Sequence, residues 1–107
     1  MKARVLAVLL ALVLPAGAAP AQAAAKIHTV RIEGMKFVPQ RLEVAAGDTV
    51  VWTNQDFLPH TVSAAEAGIE SGALQEGGSW KLVARKKGET PYVCRFHPGM
   101  RGVLLVK

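Results

Sequence analysis

The sequence predicts a small all-β domain, a sandwich or barrel, preceded by a short N-terminal leader. Apolar and polar residues alternate in several short segments, which is the period of a strand with one buried face. Turn residues separate these segments at intervals of about 8–12 residues, as they do in sandwiches and barrels. The length after the leader leaves room for one domain, which we place at residues 26–107.

The N-terminus has the pattern of a secretory signal peptide, which we expect to cover residues 1–25. Two basic residues precede an unbroken apolar run over residues 5–14, and small residues then suit cleavage after Ala23 or Ala25. An uncleaved anchor is the alternative, but this run is shorter than the about 20 residues that span a bilayer. We therefore expect a periplasmic protein with no membrane span after cleavage.

The charge of the chain argues against a nucleic-acid partner. The formal net charge is +5 at neutral pH, and cleavage would remove Lys2 and Arg4. The mature domain would then carry about +3, which is too weak a basic balance for nucleic-acid binding. The basic residues between positions 81 and 87 are expected to lie on solvated strand faces.

The predicted strands cover most of the domain. Residues 40–54 read as two strands joined through Gly47-Asp48, with Val50 and Trp52 on one face of the second strand. The first segment alternates in the same way, with Val30 on its apolar side. The remaining predicted strands lie in residues 26–34, 60–63, 79–85, 91–94 and 101–107.

Residues 64–78 are the part of the domain with the weakest strand pattern. Small residues and three glutamates predict a loop with at most one helical turn. Ile69 and Leu74 are the apolar residues that we expect to pin this loop to the body.

The chemistry is concentrated in residues 93–102, VCRFHPGMRG, which contain the only cysteine of the chain. His97 follows Cys94 by three residues and Met100 follows His97 by three. The Pro-Gly pair between them predicts a type II turn that brings the imidazole and the thioether close together. A single thiol cannot form an internal disulfide, and in an oxidising compartment it is a liability unless it is buried or bound to a metal.

A second histidine, His60, completes a candidate set of ligands. The loops of a sandwich gather at its two ends, so the loop before His60 can meet the loop after Cys94. Two imidazoles, a thiolate and a thioether match a blue-copper site with a weak axial methionine. Zinc could occupy the same pocket, but it rarely uses a thioether. We predict one copper ion, cycling between Cu(I) and Cu(II), bound by His60, Cys94, His97 and Met100.

The chain resembles the cupredoxins, in particular the amicyanins and plastocyanins. Residues 35–62 and 92–106 carry the likeness, which covers most of the predicted domain. The shared features occur in order, and they are Gly47-Asp48, Trp52, Asn54, Pro59-His60 and the Cys-x-x-His-x-x-Met loop. The resemblance implies a Greek-key β-sandwich with one type 1 copper, acting as a soluble electron shuttle. We expect the protein to be a monomer.

Three positions depart from the family pattern. Thr61 stands where family members usually have an asparagine that ties the two ligand loops together, and a hydroxyl can still bond across them. We expect Thr61 to support the ligands in this way. Arg95 and Gly99 replace a small polar and a bulky apolar residue of amicyanins, so the amine dehydrogenase partner of amicyanins is not assumed.

The ligand loops also predict a docking surface. The edge of His97 is the expected point of electron exchange, and apolar residues around it would form the contact. Two arginines would steer an acidic partner toward it. The expected partner is a c-type cytochrome or a periplasmic oxidoreductase. The predicted docking residues are Phe57, Leu58, Pro59, Arg95, Pro98, Gly99 and Arg101.

Two other classes of function fit parts of the pattern. A periplasmic copper chaperone or storage protein could use the same ligands and hand on the metal. A metal-free adhesion or interaction sandwich would need none of them. An enzyme is not expected, because four protein ligands leave no open position on the copper for a substrate.

Overall fold

The structure is a computed structural model that describes residues 3–4, 7–13 and 24–107. Much of the predicted leader, including the candidate cleavage point after Ala23, lies outside the described residues. Within them, no helix has both the length and the apolar character needed to cross a membrane.

Nine strands form two sheets within the described residues. The strands are β1 (Ile27–Ile32), β2 (Phe37–Val38), β3 (Arg41–Val44), β4 (Thr49–Asn54), β5 (Ser63–Ala64), β6 (Ile69–Glu70), β7 (Ser79–Val83), β8 (Gly88–Val93) and β9 (Arg101–Val106). One sheet has the order β2-β1-β4-β7 and the other has the order β3-β9-β8-β5-β6. The predicted all-β sandwich is confirmed.

The core lies between the sheets and follows the predicted alternation. Val30 on β1 and Val50 and Trp52 on β4 are buried, while their strand neighbours are exposed or partly exposed. Tyr92 on β8 packs edge-on against Trp52, with ring centroids 5.5 Å apart. Because burial of large apolar side chains is the main driving force for folding, these side chains fix how the two sheets face each other.

The strand pairing gathers two loops at one end of the sandwich, which we call the ligand pole. β1 and β4 run parallel with Ile32 opposite Asn54, so both strands end there. β8 and β9 form an antiparallel hairpin with Val93 opposite Arg101 at the same end. The loop after β4 and the loop between β8 and β9 therefore both lie at this pole, as the sequence predicted.

Several local features differ from the sequence prediction. The two strands predicted within residues 40–54 exist, but they lie in different sheets, because β3 pairs with β9 and β4 pairs with β1 and β7. Strand β8 begins at Gly88, earlier than predicted. The strands β2 and β6 are two residues long, which is too short to produce a periodic pattern.

The segment at 64–78 is mostly loop, as predicted. It contains one 3₁₀ turn at Ala65–Ala67. Leu74 is buried and Ile69 packs partly buried against the core, so both residues anchor the segment as expected.

The opposite pole is held together by Asp48. Its carboxylate accepts hydrogen bonds from the backbone N–H of Lys26 at 2.9 Å and of Ala45 at 3.0 Å, and it contacts His28 Nε2 at 2.9 Å. The hydrogen bond from Lys26, followed by those from His28 and Ala45, lowers the pKa of Asp48 to about 2. Asp48 is therefore ionised at neutral pH and joins the start of β1 to the turn before β4.

Gly102 provides a test of the packing between β8 and β9. It lies opposite Tyr92, and a Cβ atom at position 102 would overlap the phenol ring. We expect Gly102→Ala to lower the free energy of unfolding by about 1–3 kcal/mol, because the ring must move within a filled core. Chemical denaturation of the metal-free protein measures the change.

Gly99→Ala is the matched control. A Cβ atom at Gly99 would meet nothing within 4 Å, so the free energy of unfolding should stay close to that of the wild type. Equal effects of the two substitutions would contradict the role assigned to Gly102.

Candidate metal centre

The loop before His60 is shaped by a buried asparagine. The Asn54 side-chain amide donates to the carbonyls of Leu58 at 2.9 Å and Leu74 at 2.8 Å. Its oxygen accepts from the Asp56 N–H at 2.9 Å. His60 is then fixed by a two-way backbone pairing with Leu74, at 3.1 and 2.7 Å. These bonds fix the backbone from which the imidazole of His60 projects.

The second loop is closed by its own backbone. The N–H of Cys94 donates to the carbonyl of Met100 at 3.1 Å, and the N–H of Met100 donates to the carbonyl of His97 at 2.8 Å. The predicted turn at residues 97–100 is therefore present. The prediction of type II geometry is wrong, because Gly99 does not have the positive φ that type II requires. Proline at the second position suits a type I turn equally well.

Three donor atoms converge at the ligand pole. The Sγ atom of Cys94 lies 3.8 Å from Nδ1 of His60 and 3.8 Å from Nδ1 of His97. All three donor atoms lie within 4.8 Å of one another. Cys94 and His60 are fully buried, whereas His97 is partly exposed. The sequence placed these residues at one pole, and the structure brings them to bonding distance of a common point.

These distances fit a metal ion. With a metal–sulfur length of about 2.3 Å and a metal–nitrogen length of about 2.0 Å, a separation of 3.8 Å corresponds to an angle near 120° at the metal. A thiolate and two imidazoles in a trigonal arrangement are the donor set of blue-copper sites. Met100 is buried, and its carbonyl accepts the N–H of Cys94, so the backbone of the fourth candidate ligand is tied to that of the sulfur ligand.

Asp56 is a functional candidate that the sequence reasoning did not identify. Its Oδ2 atom lies 2.9 Å from Nε2 of His60. A carboxylate there accepts a hydrogen bond from the Nε2–H of His60. The free lone pair of the ring is then on Nδ1, the atom that faces Cys94. The two oxygens of Asp56 also accept from the N–H groups of Gly34 at 2.7 Å and Met35 at 2.9 Å.

The state of Asp56 follows from these contacts. Burial raises the pKa of Asp56, but the hydrogen bonds from the two amides and His60 lower it by more, so the net shift is downward. Asp56 is therefore a carboxylate at neutral pH. A carboxylate four residues before a candidate ligand, in a short loop, was the available signal for this role.

Thr61 joins the two loops. Its hydroxyl accepts a hydrogen bond from the N–H of Arg95 at 2.8 Å, and its own N–H lies 3.4 Å from Sγ of Cys94. The hydroxyl also bonds to that of Ser63 at 2.8 Å. Thr61 is fully buried. Its hydroxyl therefore joins the two ligand loops, as expected from the sequence, in place of the asparagine amide of other family members.

The predicted docking residues surround this centre. Phe57 is 86% exposed and Leu58 is 48% exposed. Arg95, Pro98, Gly99 and Arg101 are exposed, and Pro59 is partly exposed. Phe96, which the sequence reasoning omitted, adds a further apolar side chain that is 47% exposed.

The two predicted steering arginines differ in their surroundings. Arg95 forms an ion pair with Glu70 at 3.0 Å, which offsets its charge. Arg101 and Lys36 line a cavity together with Met100. Within the described residues, no carboxylate forms an ion pair with Arg101 or with Lys36. The uncompensated positive charge therefore lies on the Met100 side of the centre.

Comparison with known proteins identifies the family. A family model for the cupredoxin-like domain matches residues 4–106. The chain belongs to the cupredoxin family. This cupredoxin is 33% identical over 101 residues to amicyanin-alpha from Methylorubrum extorquens, in an alignment that covers 88% of the chain and 85% of that protein. The family resemblance predicted from the sequence is confirmed.

Solved cupredoxin structures have the same fold. The Cu(I) form of an amicyanin mutant is 31% identical, with a TM-score of 0.72, and the match covers 81% of this chain and 88% of that one. A copper-containing nitrite reductase from Thermus scotoductus is 27% identical, with a TM-score of 0.70, over 75% of this chain and 22% of that one. The cupredoxin fold thus occurs both alone and within a larger enzyme.

Asp56 can be tested by substitution with its amide. We expect Asp56→Asn to weaken copper binding by about 10–100-fold, because the partner that orients the His60 ring is lost. Competition titration with a copper chelator measures the affinity.

Glu33→Gln removes one negative charge from an exposed position in the turn that Asp56 contacts, and it should leave the copper affinity unchanged. The melting temperatures of the metal-free proteins report any general loosening of that turn. An affinity of Asp56→Asn within twofold of the wild type would show that Asp56 does not position the ligand.

Proposed function

We propose that this cupredoxin is a periplasmic electron carrier that binds one type 1 copper ion through His60, Cys94, His97 and Met100. The convergence of one buried sulfur and two imidazole nitrogens within 4.8 Å carries this proposal. Soft thiolate and thioether donors select copper over hard cations. The similarity to an amicyanin mutant solved in its Cu(I) form supports it.

The chain's own residues hold the donors in place before any metal binds. Bound copper would supply one-electron exchange between Cu(II) and Cu(I). Asp56 holds His60, and Thr61 joins the sulfur to the neighbouring loop. Because both contacts are buried or partly buried, the donors cannot move far when the charge at the centre changes. A small rearrangement favours rapid electron exchange.

We place the point of exchange at His97, because it is the only one of the three converging residues that is partly exposed. The apolar side chains of Phe57, Leu58 and Phe96 stand on the same pole. An apolar patch around the exposed imidazole edge allows a redox protein to dock closely and briefly. We propose a c-type cytochrome or a periplasmic oxidoreductase as the partner, and a monomer as the carrier.

A copper chaperone or storage role is the second candidate. It would use the same ligands and differ in releasing the metal to another protein. The buried sulfur and the Thr61 bridge oppose easy release, which favours electron transfer. We also propose that the chain is not itself an enzyme, since four donors from one small domain leave no position on the copper for a substrate.

The decisive experiment is addition of Cu(II) to the purified metal-free protein, followed by visible and EPR spectroscopy. We expect an intense thiolate-to-copper absorption band in the wild type and its loss in Cys94→Ser, because the band requires the sulfur ligand. A wild-type spectrum without that band would reject the type 1 site. Copper transfer to an acceptor without electron exchange with a c-type cytochrome would favour the chaperone role.

Steering by charge can be tested with the hexacyanoferrate(III) anion as an oxidant of the copper-loaded, reduced protein. We expect Lys36→Gln with Arg101→Gln to slow this oxidation by about 2–5-fold at low ionic strength and to flatten its dependence on salt. Stopped-flow absorption measures both quantities.

Two double variants serve as controls. Arg95→Gln with Glu70→Gln removes the ion pair without changing the net charge, and it should leave the rate nearly unchanged. Lys86→Gln with Lys87→Gln removes two positive charges near the start of β8, at the pole away from the ligands. Equal slowing by the Lys86 and Lys87 variant would show that only the net charge matters.

A further inference from the structure

The start of β1 brings a backbone nitrogen to a buried carboxylate. Lys26 directly follows the candidate cleavage point at Ala25, and its N–H donates to Oδ1 of Asp48 at 2.9 Å. The carbonyl of Lys26 accepts from the N–H of Thr49 at 2.9 Å. Ala24 and Ala25 are exposed and precede the first strand. Pairing with the body of the domain therefore begins at Lys26.

The carboxylate of Asp48 has room for a stronger partner. Its Oδ2 atom receives the Ala45 N–H and His28 Nε2, whereas Oδ1 receives the Lys26 N–H alone. A carboxylate oxygen can accept about two hydrogen bonds.

Asp48 lines a cavity together with Lys26, Glu43 and Lys107. The side chains of Glu43 and Lys107 pair with each other at 3.2 Å. A cation at the Lys26 nitrogen would therefore find Asp48 as its nearest acceptor.

We propose that a signal peptidase cleaves after Ala25 and that the α-ammonium group created on Lys26 forms an ion pair with Asp48. The step hydrolyses the Ala25–Lys26 peptide bond with one water molecule. It leaves a carboxylate on Ala25 and an amine on Lys26, and the amine takes up a proton at neutral pH. The inference rests on the export of the chain, which is part of the proposed function.

The sequence pattern alone leaves two cleavage points, since small residues flank both of them. Cleavage after Ala23 would place the new charge on Ala24, two residues before the nitrogen that contacts Asp48. Lys26 would then keep a neutral N–H. Cleavage after Ala25 places the charge on the atom that already contacts Asp48. Asp48 is a carboxylate in either product, so only the product that begins at Lys26 replaces a hydrogen bond from a neutral N–H with an attraction between opposite charges.

The first test is the intact mass of the protein exported with its own leader by a bacterial host. We expect the wild type to begin at Lys26. Ala25→Gln places a large side chain next to that cleavage point, so its product should begin at Ala24. Ala21→Gln obstructs only cleavage after Ala23 and should leave the wild-type product. A wild-type chain that begins at Ala24 would overturn the inference alone, whereas an unprocessed chain would overturn the export proposal as well.

The second test asks whether the ion pair exists. The metal-free protein that begins at Ala24 should melt about 2–6 °C below the one that begins at Lys26. Asp48→Asn in both proteins should abolish this difference, and Glu43→Gln in both should preserve it. No difference between the two starting points, or one that survives Asp48→Asn, would refute the ion pair.

A third measurement avoids any variant that could fail to fold. The ion pair holds the α-amine in its protonated form, so acylation of that amine near pH 8 should be slower in the Lys26 product than in the Ala24 product. Peptide mass spectrometry separates the α-amine from the Lys26 side chain. Equal rates would contradict the proposed contact.

Discussion

The bridge at Thr61 is the contact on which the candidate centre depends. It connects residues 34 positions apart in the chain, because the Thr61 hydroxyl accepts the N–H of Arg95. The same residue directs its own N–H at the sulfur of Cys94. Since Thr61 follows His60 directly, one residue sets the distance between the sulfur and the first imidazole. Thr61 itself is fully buried, which limits the competition of water for its hydrogen bonds.

Further hydrogen bonds at the ligand pole fix the loop and the ring of His60. Asn54 shapes the loop that leads to His60, and Asp56 orients the ring and ties it to the turn at Gly34. The centre is thus supported from β1, β4 and the β8–β9 hairpin together. A donor set held from several elements is formed by the fold itself, which is the condition for rapid exchange at a site whose charge changes.

Much of the fold and of the donor set could be predicted from the sequence. Val30, Val50 and Trp52 revealed their strands because burial of one sheet face imposes a period of two. Cys94 and His97 were recognisable because thiol and imidazole have few other uses at that spacing. These signals are local, and they survive in a single chain without any knowledge of its tertiary contacts.

The features that the sequence did not reveal depend on contacts between distant segments. The parallel pairing of β1 with β4 leaves no mark in either strand taken alone. Asp56 looks like an ordinary loop residue until His60 is placed beside it. Arg95 looks like a free cation until Glu70 is found next to it. The turn at residues 97–100 was misassigned because Pro-Gly is compatible with more than one turn geometry.

The position of β9 sets the order in which the molecule can be completed. β9 lies between β3 and β8 in the second sheet, so a chain that is synthesised from its N-terminus leaves a gap in this sheet until residues 101–106 have been added. The hairpin that presents the sulfur closes only at that moment. The three donor atoms can therefore converge on a metal only after β9 has paired with β8.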